Sequence, residues 1–264
     1  MLRRALLALS LAVIACGDAA PADTTPDAGS RVRNEYVSVA GEVKFHPLEA
    51  ELRASDSTLG GLPSLTGLTV RVENSIDALL NKPPLASATL AEDGKFAFEK
   101  VDVVNVTLAL VGSVKPASPG AEIVESGYGL HRYVPGDARP TSFTDKPVYV
   151  VSRKLVERLA GALDMDVAAF ESGGAVLGRV VDKTGKAVEG AVVNVAQNDE
   201  LFYLGDDLKT VPADLKATGK SGAFVLLPSP GTHEYSASLQ GATFSTKLGG
   251  RRPGTVLTLL IERQ

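Results

Sequence analysis

Three histidines are the side chains in this sequence best suited to chemistry, because imidazole can ligate a metal or move a proton near neutral pH. His46 is followed by Glu49 in an H-x-x-E spacing, and His131 comes later in the chain. Two imidazoles and one carboxylate form a donor set that a catalytic zinc ion accepts, with a fourth position left for water. The pattern defines a zinc hypothesis, although a two-residue match arises readily by chance.

Tyrosine and histidine are also clustered in two places. Tyr128, His131 and Tyr133 are close in sequence, and His233 is followed by Tyr235. These residue types resemble the two Tyr and two His iron ligands of the intradiol ring-cleaving dioxygenases. The closely spaced His pair of those enzymes is absent here. A metal-dependent enzyme, dioxygenase-like or a hydrolase, that uses His131 or His233 is therefore the alternative to a structural role for these rings.

Other reactive patterns are incomplete. The sequence has no Gly-x-Ser-x-Gly nucleophile elbow. The Gly-Lys-Ser run at 219–221 lacks the upstream glycine and the following helix of a phosphate-binding loop. The Asp206-Asp207 pair fits a solvated loop better than a calcium site. The sequence therefore predicts a protein that is not an enzyme, with no catalytic residue, no metal and no cofactor.

Cys16 is the only cysteine in the chain. It follows Arg3, Arg4 and an apolar run that ends at Ala15, and this run is too short to span a bilayer as a helix. The segment Val-Ile-Ala-Cys at 13–16 resembles a bacterial lipobox. The resemblance implies that residues 1–15 are a signal peptide and that Cys16 is lipidated. An ordinary secretory signal that happens to contain a cysteine is the alternative.

The composition is that of a globular protein long enough for two compact domains: 264 residues, 44% of them hydrophobic, with a net charge of −4. No basic stripe is present, so nucleic acid is not an expected partner. Residues 16–34 are rich in Ala, Pro, Asp and Thr and are predicted to be a disordered tether. The expected location is the bacterial cell envelope, at the outer membrane or the periplasmic face, with a membrane contact through the lipid on Cys16.

Alternating apolar residues predict β-strands over most of the remaining chain. The clearest stretch has Gly178-x-Val180, a turn, Gly190-Ala-x-Val-x-Val, and then Thr218-x-x-Ser-Gly-x-Phe224. It resembles the carboxypeptidase regulatory-like domain, a small transthyretin-like β-sandwich. The resemblance implies a β-sandwich without chemistry of its own.

A weaker copy of this pattern precedes it. Gly67-x-x-Val-x-Val matches the run from Gly190, and Thr89 with Asp-Gly-x-Phe96 matches Thr218 with Ser-Gly-x-Phe224. The copy needs an insertion or an elongated hairpin over 45–66. We therefore predict a mainly β protein of two tandem transthyretin-like sandwiches, at 35–114 and 175–264.

The interdomain segment 115–174 is predicted to combine loops with helices. It contains a strand at 147–151, a helix capped by Ser152, and a short helix capped by Asp164 or Asp166. A loop at 201–212 carries large apolar residues that look exposed. The predicted function is that of a non-catalytic structural or binding module for an envelope protein or a carbohydrate. The candidate binding residues are Tyr128, His131, Tyr133, Phe202 and Tyr203.

Overall fold

The computed structural model describes residues 36–118 and 120–264. The predicted signal peptide, Cys16 and the tether lie outside the described residues. Within the described chain the elements are β1 (Tyr36–Phe45), α1 (Pro47–Ser55), a 3-10 helix (Ser57–Leu59), β2 (Thr69–Asn74), α2 (Ser75–Leu79), β3 (Ala86–Thr89), β4 (Lys95–Asp102), β5 (Ala109–Lys115), β6 (Ser126–Arg132), β7 (Ser142–Val150), α3 (Arg153–Ala162), α4 (Val167–Gly173), β8 (Ala175–Val181), β9 (Val192–Asn194), β10 (Glu200–Tyr203), β11 (Ala223–Leu227), β12 (Thr232–Ser238), β13 (Lys247–Gly250) and β14 (Val256–Glu262).

The strands build two β-sandwiches with nearly the same topology. In the first, the sheet β4-β1-β7 faces the strands β3-β2-β5-β6; in the second, β10-β11-β8-β14 faces β9-β12-β13. Each sandwich pairs its opening strand in parallel with its last strand, β1 with β7 and β8 with β14. The copies differ at one edge, where β3 adds to β2 but β10 adds to β11. The prediction of a mainly β fold is confirmed.

One turn is built identically in both copies. Gly94 and Gly222 have φ angles of 66° and 67°, which favour glycine over residues with a side chain. Their carbonyl oxygens accept hydrogen bonds from the N–H groups of Val43 and Val180, at 2.8 and 2.9 Å. The predicted internal repeat is therefore present in the backbone.

A close contact explains a second repeated glycine. Gly178 is paired across the sheet with Phe224, and Gly41 with Phe96. A methyl group on Gly178 would overlap the Phe224 ring, and one on Gly41 would overlap the carbonyl oxygen of Lys146. The glycines therefore allow close packing that any larger residue would block.

The sequence match is shifted by one residue at one point. The N–H of Gly67 donates to the carbonyl of Leu90, and the N–H of Gly190 donates to the carbonyl of Thr218. Leu90, rather than Thr89, is thus the counterpart of Thr218. Residue type alone aligns Thr89 with Thr218, whereas the backbone hydrogen bonds show that Leu90 occupies the equivalent position.

The two sandwiches share a sheet, because β14 of the second pairs in parallel with β6 of the first. The result is one eight-stranded sheet, here called the long sheet, in the order β10-β11-β8-β14-β6-β5-β2-β3. The register places Thr258 beside Tyr128. Strand alternation then puts β4-β1-β7 on one face of the long sheet and β9-β12-β13 on the other.

The structure assigns part of the expected interdomain segment to the first sandwich. Strands β6 and β7 complete that sandwich, so its strands extend to Val150 rather than ending near residue 114. The turn-forming residues at 134–140 lie between β6 and β7. Gly127 and Gly129 weaken the apolar alternation of β6, which is why the sequence did not show it. Between the two copies lie only the helices α3 and α4.

These helices follow the predicted capping signals. The Ser152 hydroxyl accepts from the N–H of Leu155, and the Asp166 carboxylate accepts from the N–H of Ala169. The insertion predicted over 45–66 contains a helix, α1, rather than a hairpin. Together α1, α3 and α4 cover the face of β8 and β11 opposite the second sandwich core. This helical layer shares an apolar core with β8 and β11, listed here by its fully buried members: Leu48, Leu52, Val151, Val156, Leu159, Ala160, Leu204, Ala223 and Val225.

A buried ion cluster lies beside the junction of the two sandwiches. Arg252, on the loop before β14, donates to Glu73 of β2 at 2.8 and 3.3 Å and to Glu125 at 3.3 Å. Arg71 donates to Glu125, and the Ser113 hydroxyl donates to Glu73. Burial alone would raise the pKa of Glu73, but hydrogen bonds from Arg252 and Ser113 outweigh it and lower that pKa. Two cations and two anions thus compensate each other across the junction.

Replacing Glu73→Ala should lower the free energy of unfolding by about 3–5 kcal/mol, because buried Arg252 would lose its two hydrogen bonds to Glu73 and keep only the longer contact with Glu125. Glu234→Ala is the matched control, since the pair that Glu234 makes with Arg132 also crosses between the sandwiches but is exposed. That control should cost less than about 1 kcal/mol. Urea unfolding of both variants measures the difference, and equal losses would contradict the assignment.

Candidate functional site

The five predicted binding residues fall in two separate places. Tyr128, His131 and Tyr133 lie on or directly after β6, whereas Phe202 and Tyr203 lie on β10. Three strands of the long sheet separate β10 from β6, a distance of about 19 Å at the usual strand spacing. The structure therefore does not bring them together into one site.

The β6 group is built of stacked rings. His131 lies 4.8 Å from both Tyr133 and Phe143, measured between ring centroids, and Tyr128 meets Tyr149 edge-on at 5.1 Å. Burial lowers the pKa of His131, and the nearby Lys146 acts in the same direction. Tyr133 is 7% exposed, and the Arg139 guanidinium lies over its ring, 4.7 Å from the ring centroid. Tyr128 and His131 are only partly buried, so they are the members that a ligand can reach.

Those two residues line an open cleft of about 290 Å³ between β6, β13 and β14. Arg132 and Lys247 contribute cationic groups to its wall, and Thr258 contributes a hydroxyl. The Thr258 hydroxyl already donates to the carbonyl of Gly127 at 3.0 Å. The cleft therefore offers an aromatic ring and a polar wall, in which Arg132 and Lys247 pair with Glu234 and Glu262.

The 201–212 segment is packed rather than exposed. Tyr203 is 6% exposed, and its hydroxyl accepts a 2.8 Å hydrogen bond from the backbone N–H of Val193. Leu204 and Leu208 are buried in the helical layer. The apolar residues that suggested a binding loop are thus core residues. Phe202, half-buried on the edge strand β10, is the one candidate left at this place.

The His46–Glu49 pair serves the start of α1. The Nδ1 atom of His46 accepts from the N–H of Leu48 at 3.4 Å, and the Glu49 carboxylate accepts from the N–H and hydroxyl of Ser152. Arg53 also contacts Glu49, at 3.4 Å. In the described residues no group of three or more His, Cys, Asp or Glu side chains is placed to hold a metal ion. The contacts of Glu49 are those of a structural carboxylate.

A Ser–His–Asp set that the sequence did not predict lies near the start of β12. The Ser229 hydroxyl donates to Asp199 at 2.7 Å, and Nε2 of His233 lies 3.2 Å from both the hydroxyl and the carbonyl oxygen of Ser229. The Ser229 hydroxyl proton is therefore directed at Asp199 and not at His233, unlike the serine of a catalytic triad. The order of contacts is Asp–Ser–His instead of Asp–His–Ser.

Asp199 explains this arrangement. Its side chain is fully buried and also accepts from the N–H of Ser229 and from the Tyr235 hydroxyl, both at 2.8 Å. Burial alone would raise the pKa of Asp199, but these hydrogen bonds outweigh it and lower that pKa. The network fastens the loop before β10 to β12. His233 and Tyr235 stand out in the sequence by residue type, but Asp199 and Ser229 are 30 residues apart and follow no local pattern.

Comparison with known proteins gives no family assignment. No protein-family model matches the sequence, and no curated protein matches it. Among solved structures, the chain is similar to the TIE protein of Bacillus anthracis (14% identity, TM-score 0.24, 86% of this chain and 34% of that one). It is also similar to a streptococcal ancillary pilin (11%, 0.24, 87% and 69%) and to the shaft pilin SpaA of Lactobacillus rhamnosus GG (13%, 0.23, 87% and 98%).

The chain spans about a third of the TIE protein chain that it matches. Among the helices of the described residues, none is both long and apolar enough to cross a membrane.

His46 should make stability depend on pH. It is fully buried, which lowers its pKa to about 3, with the positive charge of Arg179 as a second cause. Because the unfolded chain has the ordinary pKa of 6.5, the folded state favours neutral imidazole. The contribution of neutral His46 to the free energy of unfolding is complete above pH 6.5. It is lost as the pH falls toward 3, at about 1.4 kcal/mol per pH unit.

The variant His46→Asn keeps an acceptor for the N–H of Leu48 but cannot titrate. Denaturant unfolding at pH 7.5, 6.0 and 5.0, values chosen to bracket the ordinary His pKa of about 6.5, should show a flatter decline for this variant than for the natural chain. Parallel declines would contradict the role assigned to His46.

Proposed function

We propose that this chain is a lipid-anchored protein of the bacterial cell envelope with a non-catalytic structural or binding role. The observation that carries the non-catalytic part is the use of its acidic groups. The carboxylates of Glu49, Glu73 and Asp199 each accept hydrogen bonds from two or more neighbouring groups of the fold. They stabilise loops and the junction between sandwiches.

The metal-dependent alternative is not favoured by the contacts of its histidines. His131 stacks against Tyr133 and Phe143, and His233 is turned toward Ser229. Neither forms part of a metal-binding group in the described residues. A structural role accounts for both rings.

The fold suits a rigid module. One apolar core lies against the first-sandwich strands of the long sheet, and two others lie on opposite faces of β8 and β11. Hydrogen bonding between strands continues from the first sandwich into the second. The ion cluster around Glu73 and the helical layer join the same two sandwiches. A module of this kind can hold a binding surface at a fixed distance from its attachment point.

The proposed attachment point is Cys16, on the evidence of the lipobox-like sequence before it and of its being the only cysteine. Stable membrane attachment requires more than one acyl chain. A lipidated N-terminal cysteine meets that requirement, since it carries a diacylglyceryl group and an N-acyl chain.

Substituting Cys16→Ser should abolish incorporation of radiolabelled palmitate into the expressed protein. It should also move the protein from the detergent phase to the aqueous phase in a temperature-induced phase separation, because the acyl chains supply the membrane affinity. Ser10→Ala, in the same N-terminal segment, is the control and should leave both readouts unchanged. Identical partitioning of the Cys16→Ser and natural chains would overturn the anchor.

The proposed binding surface is the cleft lined by Tyr128 and His131, and its partner is a carbohydrate or an envelope protein. An aromatic ring beside charged and hydroxyl groups suits a sugar, whose faces are apolar and whose edges are polar. We prefer this cleft to Phe202 and Tyr203 as the binding surface, because Tyr203 is a core residue.

Tyr128→Ala should therefore reduce retention on a carbohydrate array by at least about tenfold, the equivalent of 1.4 kcal/mol. Tyr203→Phe is the matched control. It should retain binding but lose about 1–3 kcal/mol of stability, since the N–H of Val193 loses its acceptor. If Tyr203→Phe lost sugar binding while Tyr128→Ala kept it, the assignment of the binding surface to the Tyr128 cleft would be wrong. If neither the natural chain nor Tyr203→Phe bound any sugar, a carbohydrate partner would be excluded in favour of a protein.

A further inference from the structure

Exposed apolar side chains are concentrated at one end of the first sandwich. In the described chain, six large apolar residues are more than two-fifths exposed. Four of them share this end: Tyr36 (44%), Ile76 (42%), Leu80 (61%) and Val134 (46%). Single exposed apolar residues are ordinary on protein surfaces, but a concentration of them indicates an interaction surface.

Strand register places these four residues at the same end of the first sandwich. Tyr36 opens β1 opposite Asp102, the last residue of β4. On the long sheet, β2 ends at Asn74 opposite Leu110, and β6 ends at Arg132 opposite Ala109. The loop 133–141 then leads back to β7, which runs parallel to β1 from the same end. This surface, defined by Tyr36, Ile76, Leu80 and Val134, is here called the α2 end.

Helix α2 and its C-cap hold Ile76 and Leu80 in fixed positions. The Asn74 side chain accepts from the N–H of Ile76 at 3.2 Å and donates to the carbonyl of Asn105 at 3.3 Å. The N–H of Leu80 donates to the carbonyls of Ile76 and Asp77, at 3.3 and 3.1 Å. Ile76 and Leu80 are therefore presented to solvent by a braced turn and have no partner core in the described chain.

The charges at this end are mixed and suit an interface. The Lys100 ammonium lies 4.2 Å from the centre of the Tyr36 ring, and Lys82 pairs with Asp77 at 2.8 Å. Asp102 accepts from the N–H of Val104, and Asp137 is exposed. Tyrosine and lysine beside apolar residues are typical of the headgroup level of a bilayer, where an amphipathic side chain has one apolar and one hydrated part.

The position of the first described strand favours a membrane as the partner of the α2 end. The described chain begins at Tyr36, on the α2 end itself, and Cys16 lies 20 positions before it in the sequence. Building on the lipid anchor of the proposed function, we infer that the α2 end docks on the phospholipid headgroups of the membrane that holds the protein. Ile76, Leu80 and Val134 would enter the interface, and Lys82 and Lys100 would face lipid phosphates.

The test uses the lipidated full-length chain. Because the Cys16 thiol is consumed by lipid, Leu80→Cys supplies a free thiol that can be labelled with an environment-sensitive fluorophore. Leu62→Cys is the matched control, since Leu62 is 50% exposed but lies before β2, toward the opposite end of the sandwich. Both are reconstituted in vesicles of phosphatidylethanolamine and phosphatidylglycerol that contain a lipid with a shallow spin-label quencher.

The probe at position 80 should be quenched about threefold more than the probe at position 62, because interfacial residues lie within about 5–10 Å of the headgroup level. Palmitate incorporation is measured on the same samples. Equal quenching at both positions with palmitate present would overturn the docking surface and leave the anchor standing. Absence of palmitate would overturn both. A position-80 probe shielded from aqueous iodide but not reached by the lipid quencher would show a protein cover and would also overturn membrane docking.

Discussion

The parallel pairing of β14 with β6 is the constraint on which the rest of the structure depends. It is a short contact, three residue pairs long, yet it turns two sandwiches into one long sheet. Edge strands that stay open invite pairing with other chains, so joining two of them also shortens two exposed edges. The carboxylate of Glu73 and the guanidinium of Arg252 stabilise this contact from the side, where a loop of the second sandwich covers a strand of the first.

Much of the fold was predictable because local signals and tertiary contacts agree in it. The glycine and phenylalanine positions of the repeat recur since they carry the same turn and the same pairing of glycine with phenylalanine across the sheet. Ser152 and Asp166 were recognisable as helix caps for the same reason. The joined sheet was not predictable: parallel partners such as Thr258 and Tyr128 are far apart in sequence, and no turn motif connects them.

The candidate site was harder to predict than the fold. Residue type alone singled out Tyr203 and Phe202, but exposure depends on what packs above a strand, and a helical layer covers the residues that follow them. The Asp199 network and the Glu73 cluster went unnoticed because their members are brought together only by long-range pairing. The exposure of Ile76 and Leu80 was equally unpredictable. The sequence of a short helix and its cap does not indicate which apolar residues face a core.

The central position of β1 in its small sheet has a mechanical consequence. β1 is flanked by β4 on one side and by β7 on the other, over nearly its whole length. Tension that arrives from the N-terminal side is directed along this strand, so it loads two ladders of hydrogen bonds in shear at the same moment. Many bonds must then break together, whereas a strand peeled from an open edge loses them one at a time. The first strand is thus a strong point at which to tether the protein.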